Sequence, residues 1–219
     1  MILKLATFIV KMKELLDSLE NLKNSDIKNL VNTRINEFAE IKNEAISNIF
    51  KELCFCIMTA NCSADKCIEI HERIGDDFLK LTEFQLTNKF KDLGYRFPNV
   101  RSKYIIEARN YMKDLESLIK SNEEENNLRN WIAKNIKGLG YKEASHFLRN
   151  IGYENYAIVD FHIIEILARY NIINKPKTMT KKKYLEIEEL LKKIAKKIGI
   201  NLAKLDLYLW YLETGKILK

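Results

Sequence analysis

The sequence predicts an all-α protein arranged as two helical lobes. Leu, Ile, Lys, Glu and Asn dominate a chain with only two prolines and seven glycines, a composition that favours helix. Apolar residues recur at three and four along most of its length. Its few glycines fall where the periodic runs stop. The chain has 219 residues, 47% of them hydrophobic, enough for one globular unit or two small lobes sharing a core.

The opening MILKLATFIVKMKELL carries lysines at 4, 11 and 13 and no small-residue cleavage site, so it reads as an amphipathic helix rather than a secretory leader. Its periodicity runs over 11–23, and a second helix covers 26–41. In AISNIFKELCFCIMTAN, apolar positions 46, 49, 50, 53, 54, 57 and 58 make a central helix. Ser63 or Asp65 starts a short helix to Ile74, ended by Gly75, and Thr82 caps a helix that closes on Gly94. Pro98 breaks the next segment, which resumes as helix from about Val100. Residues 123–127 (EEENN) read as a solvated bend before a helix over 128–136. A further helix starts at about Lys142 and stops at Gly152; another covers 161–170. The loop NIINKPKTMTKKK precedes a helix over 184–198, ended by Gly199. The terminal LAKLDLYLWYLETGKILK is densely apolar and aromatic up to Leu212. No repeat or linker stands out, and the lobes are expected as 45–155 and as 1–44 plus 156–219.

Lys and Arg number 37 against 30 Asp and Glu, a formal +7 that favours an anionic partner such as nucleic acid. A lysine-rich genome bias would raise the charge in the same way. No run approaches the roughly 20 apolar residues of a membrane span, so a cytoplasmic monomer without membrane contact is expected. Cys54, Cys56, Cys62 and Cys67 are spaced C-x-C-x5-C-x4-C, which matches no common zinc or iron–sulfur pattern. They read as buried helical thiols, with no metal and no cofactor.

The stretch NIKGLGYKEASHFLRNIGYENYAIVDFH holds the chemistry. A helix ending at Ile136, the turn Gly138-Leu139-Gly140 and a helix from about Lys142 form a helix-hairpin-helix. Glycine at both turn positions permits positive φ and close approach of backbone N–H groups to a phosphate. Lys142 lies at a helix start, where the macrodipole repels an ammonium and partial burial disfavours it, so free amine, a nucleophile, is favoured. A lysine touching phosphate is the plainer reading. Asp160 follows eighteen residues later; it is a good N-cap, and a carboxylate brought near an amine suits glycosidic chemistry.

KGLGYKEA followed by AIVDFH resembles the helix-hairpin-helix DNA glycosylase superfamily, and is most similar to the compact archaeal 8-oxoguanine DNA glycosylases. KELCFCIMTAN, LGYRF, GYKEASHFLRN, KYLEIE and LDLYLWYLETGKILK extend the similarity over most of the chain from about Lys11. The resemblance implies that Lys142 forms a Schiff base with the lesion's deoxyribose, that Asp160 is the activating carboxylate, and that β-elimination follows. The partner implied is double-stranded DNA containing oxidised guanine, bound by Gly138 and Gly140, in a cleft between the lobes. Asn61 falls where the superfamily places a residue that fills the vacated space, though it is also a common helix-end residue. Trp210 and Lys219, with Phe97, map to the damaged-base pocket, although the aromatic stripe Tyr208, Trp210, Tyr211 also suits a core. His162 and His146 read as packing or phosphate contacts, with His162 taken as DNA-binding. The terminal cysteine loop of the endonuclease III branch is absent from this sequence, so no iron–sulfur cluster is expected. A glycosylase for another damaged base and a non-catalytic helix-hairpin-helix DNA-binding protein are the alternatives.

Overall fold

The computed structural model describes residues 2–121 and 125–218. These residues form thirteen α-helices, one 3-10 turn and no strand: α1 (Ile2–Lys23), α2 (Ile27–Ile41), α3 (Ile46–Thr59), α4 (Ala64–Ile74), α5 (Asp77–Lys80), α6 (Glu83–Asp92), α7 (Pro98–Ala108), the 3-10 turn Arg109–Tyr111, α8 (Met112–Lys120), α9 (Glu125–Asn135), α10 (Tyr141–Asn150), α11 (Phe161–Arg169), α12 (Lys181–Ile198) and α13 (Leu202–Thr214).

The chain divides into two compact units: one comprises the chain up to Glu37 together with Tyr153–Leu218, the other Phe38–Gly152. In the continuous unit, α3 is the central helix, buried from Leu53 to Met58 and packed on α4, α5, α7, α8 and α10. Cys54, Cys56 and Cys67 are buried helical thiols, and desolvation pushes those of Cys54 and Cys67 up from the ordinary range. Cys62 departs from that expectation: it lies half-buried in the turn after α3, outside any helix. Gly152 ends this unit at φ +85, where an added Cβ would lie 2.9 Å from Ala39 Cα on α2. The discontinuous unit packs α1 on α12 and α13, and α11 on α13, with Leu15 and Leu19 fully buried.

Caps set several helix limits. Thr82 and Gln85 form a reciprocal capping box at α6, and Asn201 Oδ1 accepts from Lys204 N at 2.8 Å at α13. Gly199 closes α12 in the left-handed region. Three expected starts are corrected. α7 begins at Pro98 itself, since a proline at the first helical position gives up an N–H that would have no intrahelical partner. α9 begins at Glu125, within the expected bend, and α12 begins at Lys181 because Thr180 Oγ1 accepts from Lys183 N at 3.2 Å.

Candidate active site

The hairpin joins α9 to α10. Leu139 is buried and its N–H donates to Ile136 O at 3.2 Å, closing the turn. Gly138 has φ +86, and an added Cβ would lie 2.6 Å from Tyr104 Cδ2 and 3.1 Å from Arg101 Nη1. Gly140 differs from expectation: its φ is −85° and ψ −167°, an extended N-cap that needs no left-handed conformation. Buried Arg129 ties the two helices, donating from Nη1 to Ser145 Oγ at 3.3 Å with its guanidinium 4.8 Å from the Tyr141 ring centre.

Lys142 is the second residue of α10. Its side chain is 29% exposed, and Nζ lies 3.2 Å from Glu143 Oε1. Glu143 Oε2 accepts from Gly140 N–H, also at 3.2 Å. One carboxylate thus serves the helix start and the amine together, and supplies the negative charge that a helix N-terminus favours. G-x-x-E, the signal for this carboxylate, is legible at Gly140 and Glu143; it went unread because glycine offers no capping side chain.

Asn61 follows α3 at φ 61, exposed. The α3 end that carries it is held from the segment entering α7. Tyr95 Oη donates to Met58 O at 2.7 Å, Arg101 Nη2 to Ala60 O at 3.1 Å, and Arg96 Nη1 to Asn61 O at 3.4 Å. Half-buried Phe97 lies beneath both guanidinium groups, 5.0 Å from Arg96 and 5.8 Å from Arg101. Arg101 therefore reaches the turn at Ala60 and Asn61, lies over Phe97 and stands beside the hairpin glycine, a convergence that no local motif announces. His146 packs edge-on to Phe55 at 5.8 Å.

In the other unit, Asp160 is the N-cap of α11, its Oδ1 accepting from Ile163 N at 2.9 Å. Its Oδ2 has no hydrogen bond among the described residues. His162, in the first turn of α11, meets the Trp210 ring edge-to-face at 4.5 Å, and exposed Phe161 flanks it at 5.7 Å. Trp210 is half-buried on α13, whereas Tyr208 is core. Asp160, His162 and Trp210 are thus gathered in the discontinuous unit, and Asn61, Phe97, Gly138, Gly140 and Lys142 belong to the continuous one. Lys219 lies outside the described residues.

An all-α fold in which a glycine turn joins two helices, with a half-buried lysine in the first turn of the second, defines a helix-hairpin-helix protein. A model of the family described as 8-oxoguanine DNA glycosylase matches residues 31–200. The 8-oxoguanine DNA glycosylase/AP lyase of Methanocaldococcus jannaschii is 48% identical over 206 residues, covering 94% of this chain and 99% of that one. Its counterpart in Korarchaeum cryptofilum is 45% identical over 207 residues, covering 94% and 98%. The crystal structure of the M. jannaschii glycosylase/lyase with a 15-mer DNA containing 8-oxoguanine matches with a TM-score of 0.91 at 47% identity, covering 94% of this chain and all of that one. The 8-oxoguanine DNA glycosylase of Thermotoga maritima matches at 0.89 and 40% identity, covering 95% and 100%. The chain belongs to the 8-oxoguanine DNA glycosylase family.

Proposed function

We infer that this protein is a bifunctional DNA repair glycosylase/AP lyase that flips 8-oxoguanine out of duplex DNA, excises it through a lysine Schiff base and cleaves the strand by β-elimination. Beside family membership, one observation carries the reading: a half-buried lysine stands in the first turn of the helix that follows the glycine hairpin. The substrate puts the protein where the cell keeps its DNA, which without a nucleus is the cytoplasm.

In the reaction, Lys142 Nζ attacks C1′ as free amine. The bond from C1′ to the base breaks, and the base leaves with the electron pair and takes up a proton. Opening of the sugar ring gives an imine between Nζ and C1′. Loss of a C2′ proton then expels the 3′ phosphate oxygen as the C3′–O bond breaks. The Asp160 carboxylate stabilises the cationic sugar and assists the proton movements. Gly138 and Gly140 with the α10 N-terminus hold the phosphate backbone, and Asn61 enters the vacated space. Phe97 stacks on a base, His162 contacts phosphate, and Trp210 with Lys219 shapes the base pocket. None of these steps calls on a cofactor or a metal.

Borohydride trapping tests this on duplexes carrying 8-oxoguanine, other damaged bases or an abasic site. The intact protein is expected to form a covalent adduct on 8-oxoguanine and abasic DNA, and Lys142→Gln to form none while still binding duplex. Absence of an adduct on every substrate overturns the role of Lys142 as Schiff-base nucleophile. Equal trapping on all damaged bases removes the substrate assignment and keeps the lysine chemistry.

A further inference from the structure

We propose that Tyr184 and Glu188, on α12, are positioning residues for Asp160; the inference rests on the role given to Asp160 above. The segment that delivers Asp160 is extended and buried: Tyr156 and Ala157 are 2% exposed, Ile158 6% and Val159 3%. In a helical protein such a segment has no sheet ladder, yet each buried N–H and C=O needs a partner. Side chains of α12 supply three of them. Glu188 Oε2 accepts from Ala157 N–H at 3.1 Å. The Tyr184 hydroxyl donates to Ala157 O at 2.6 Å and accepts from Val159 N–H at 3.3 Å. Asp160 N–H then closes onto Ile158 O at 3.1 Å, an i to i−2 turn.

Tyr184 and Glu188 stand four residues apart on one face of α12, and each is only 2% exposed. A buried hydroxyl and a buried carboxylate are costly in a core unless hydrogen-bonded. Phenylalanine would fill the same ring volume. What the two polar groups add is a fixed register for the three residues immediately before Asp160, and so a fixed starting point for its side chain. The Oδ1 cap on Ile163 N–H fixes the rotation of that side chain from the other end. The carboxylate is held from both sides, with Oδ2 left for the sugar. KYLEIE, which resembles the family and has no part in the steps above, thereby acquires a role through its tyrosine and second glutamate.

The test uses the full-length protein and duplex DNA containing 8-oxoguanine. Single-turnover excision, duplex affinity and thermal unfolding are measured for Tyr184→Phe, Glu188→Ala, Glu188→Gln and Asp160→Asn, and for Tyr184→Phe combined with Asp160→Asn. Tyr184→Phe and Glu188→Ala are expected to slow excision on the order of 10- to 100-fold, as misplacement of a reacting group does, with affinity changed less than about threefold. Glu188→Gln keeps an acceptor oxygen for Ala157 N–H and should recover most of the rate lost in Glu188→Ala. In the Asp160→Asn background, Tyr184→Phe should slow excision no further, because its effect passes through the aspartate. An equal slowing in both backgrounds, or none in either, overturns the positioning role. Wild-type excision by Asp160→Asn instead overturns the role of Asp160 itself, and the positioning role with it.

Discussion

Gly138 and Gly140 look interchangeable in the sequence, two glycines flanking one leucine, but they meet different demands. At Gly138 the backbone is left-handed, and an added methyl would overlap the Tyr104 ring at 2.6 Å. At Gly140 the backbone suits any residue, and the methyl would meet only Glu143 Oε2, the end of a flexible side chain, at 3.3 Å. Gly138→Ala is therefore expected to cost about 2 kcal/mol or more. Gly140→Ala should cost about 0.5–1 kcal/mol through a poorer N-cap. Urea unfolding measures both, and duplex affinity should fall much further for Gly138→Ala because the hairpin itself is distorted. The spacing of the glycines was legible; their division of labour was not, since it depends on Tyr104 and Arg101, which come from α7. Lys142 has a similar history. Its place at a helix start could be read from the preceding turn, but the carboxylate on its amine belongs to the adjacent residue, whose side chain also serves the hairpin.

Helix limits were legible where a cap carries its own signal, as at Thr82, Asp160 and Gly199. They were misplaced where a helix starts with polar residues ahead of its apolar period. Glu125 and Lys181 are examples, each three residues before the expected start. Pro98 misled for another reason, because the residue that breaks a helix from within begins one without penalty. The end of α3 offers a sharper case. Its carbonyls are taken by Tyr95, Arg96 and Arg101, between 35 and 41 residues along the chain, and no periodicity reports such a partner. Arg101 does most there: one guanidinium nitrogen holds Ala60 O and another stands at Gly138. Arg101→Met leaves a helix-end carbonyl without its charged donor and should lower stability by about 1.5–3 kcal/mol. The urea midpoint should fall with the slope unchanged, since the same surface is exposed on unfolding.

At the scale of the molecule, the two units are not built alike. Phe38–Gly152 is one continuous stretch with its own buried helix α3, while its companion is assembled from both ends of the chain. α1 contributes Leu15 and Leu19, both fully buried, and packs on α12 and α13. A fragment 153–218 would expose the apolar faces of α12 and α13 that α1 covers. Losing two buried leucines alone costs about 3–6 kcal/mol at about 1.5–3 kcal/mol for each, comparable to the whole stability of a small domain. The fragment 38–152 keeps α3 with the helices that surround it. It is expected to melt cooperatively by circular dichroism, while 153–218 shows no cooperative transition. Because 38–152 retains the hairpin, it should bind undamaged duplex with affinity that falls steeply as salt rises, the mark of phosphate contacts. It lacks Asp160, His162 and Trp210, so borohydride should trap no adduct on 8-oxoguanine duplex. Restoring trapping should require the full chain, in which α1 completes the core around α12 and α12 in turn holds the segment that presents Asp160.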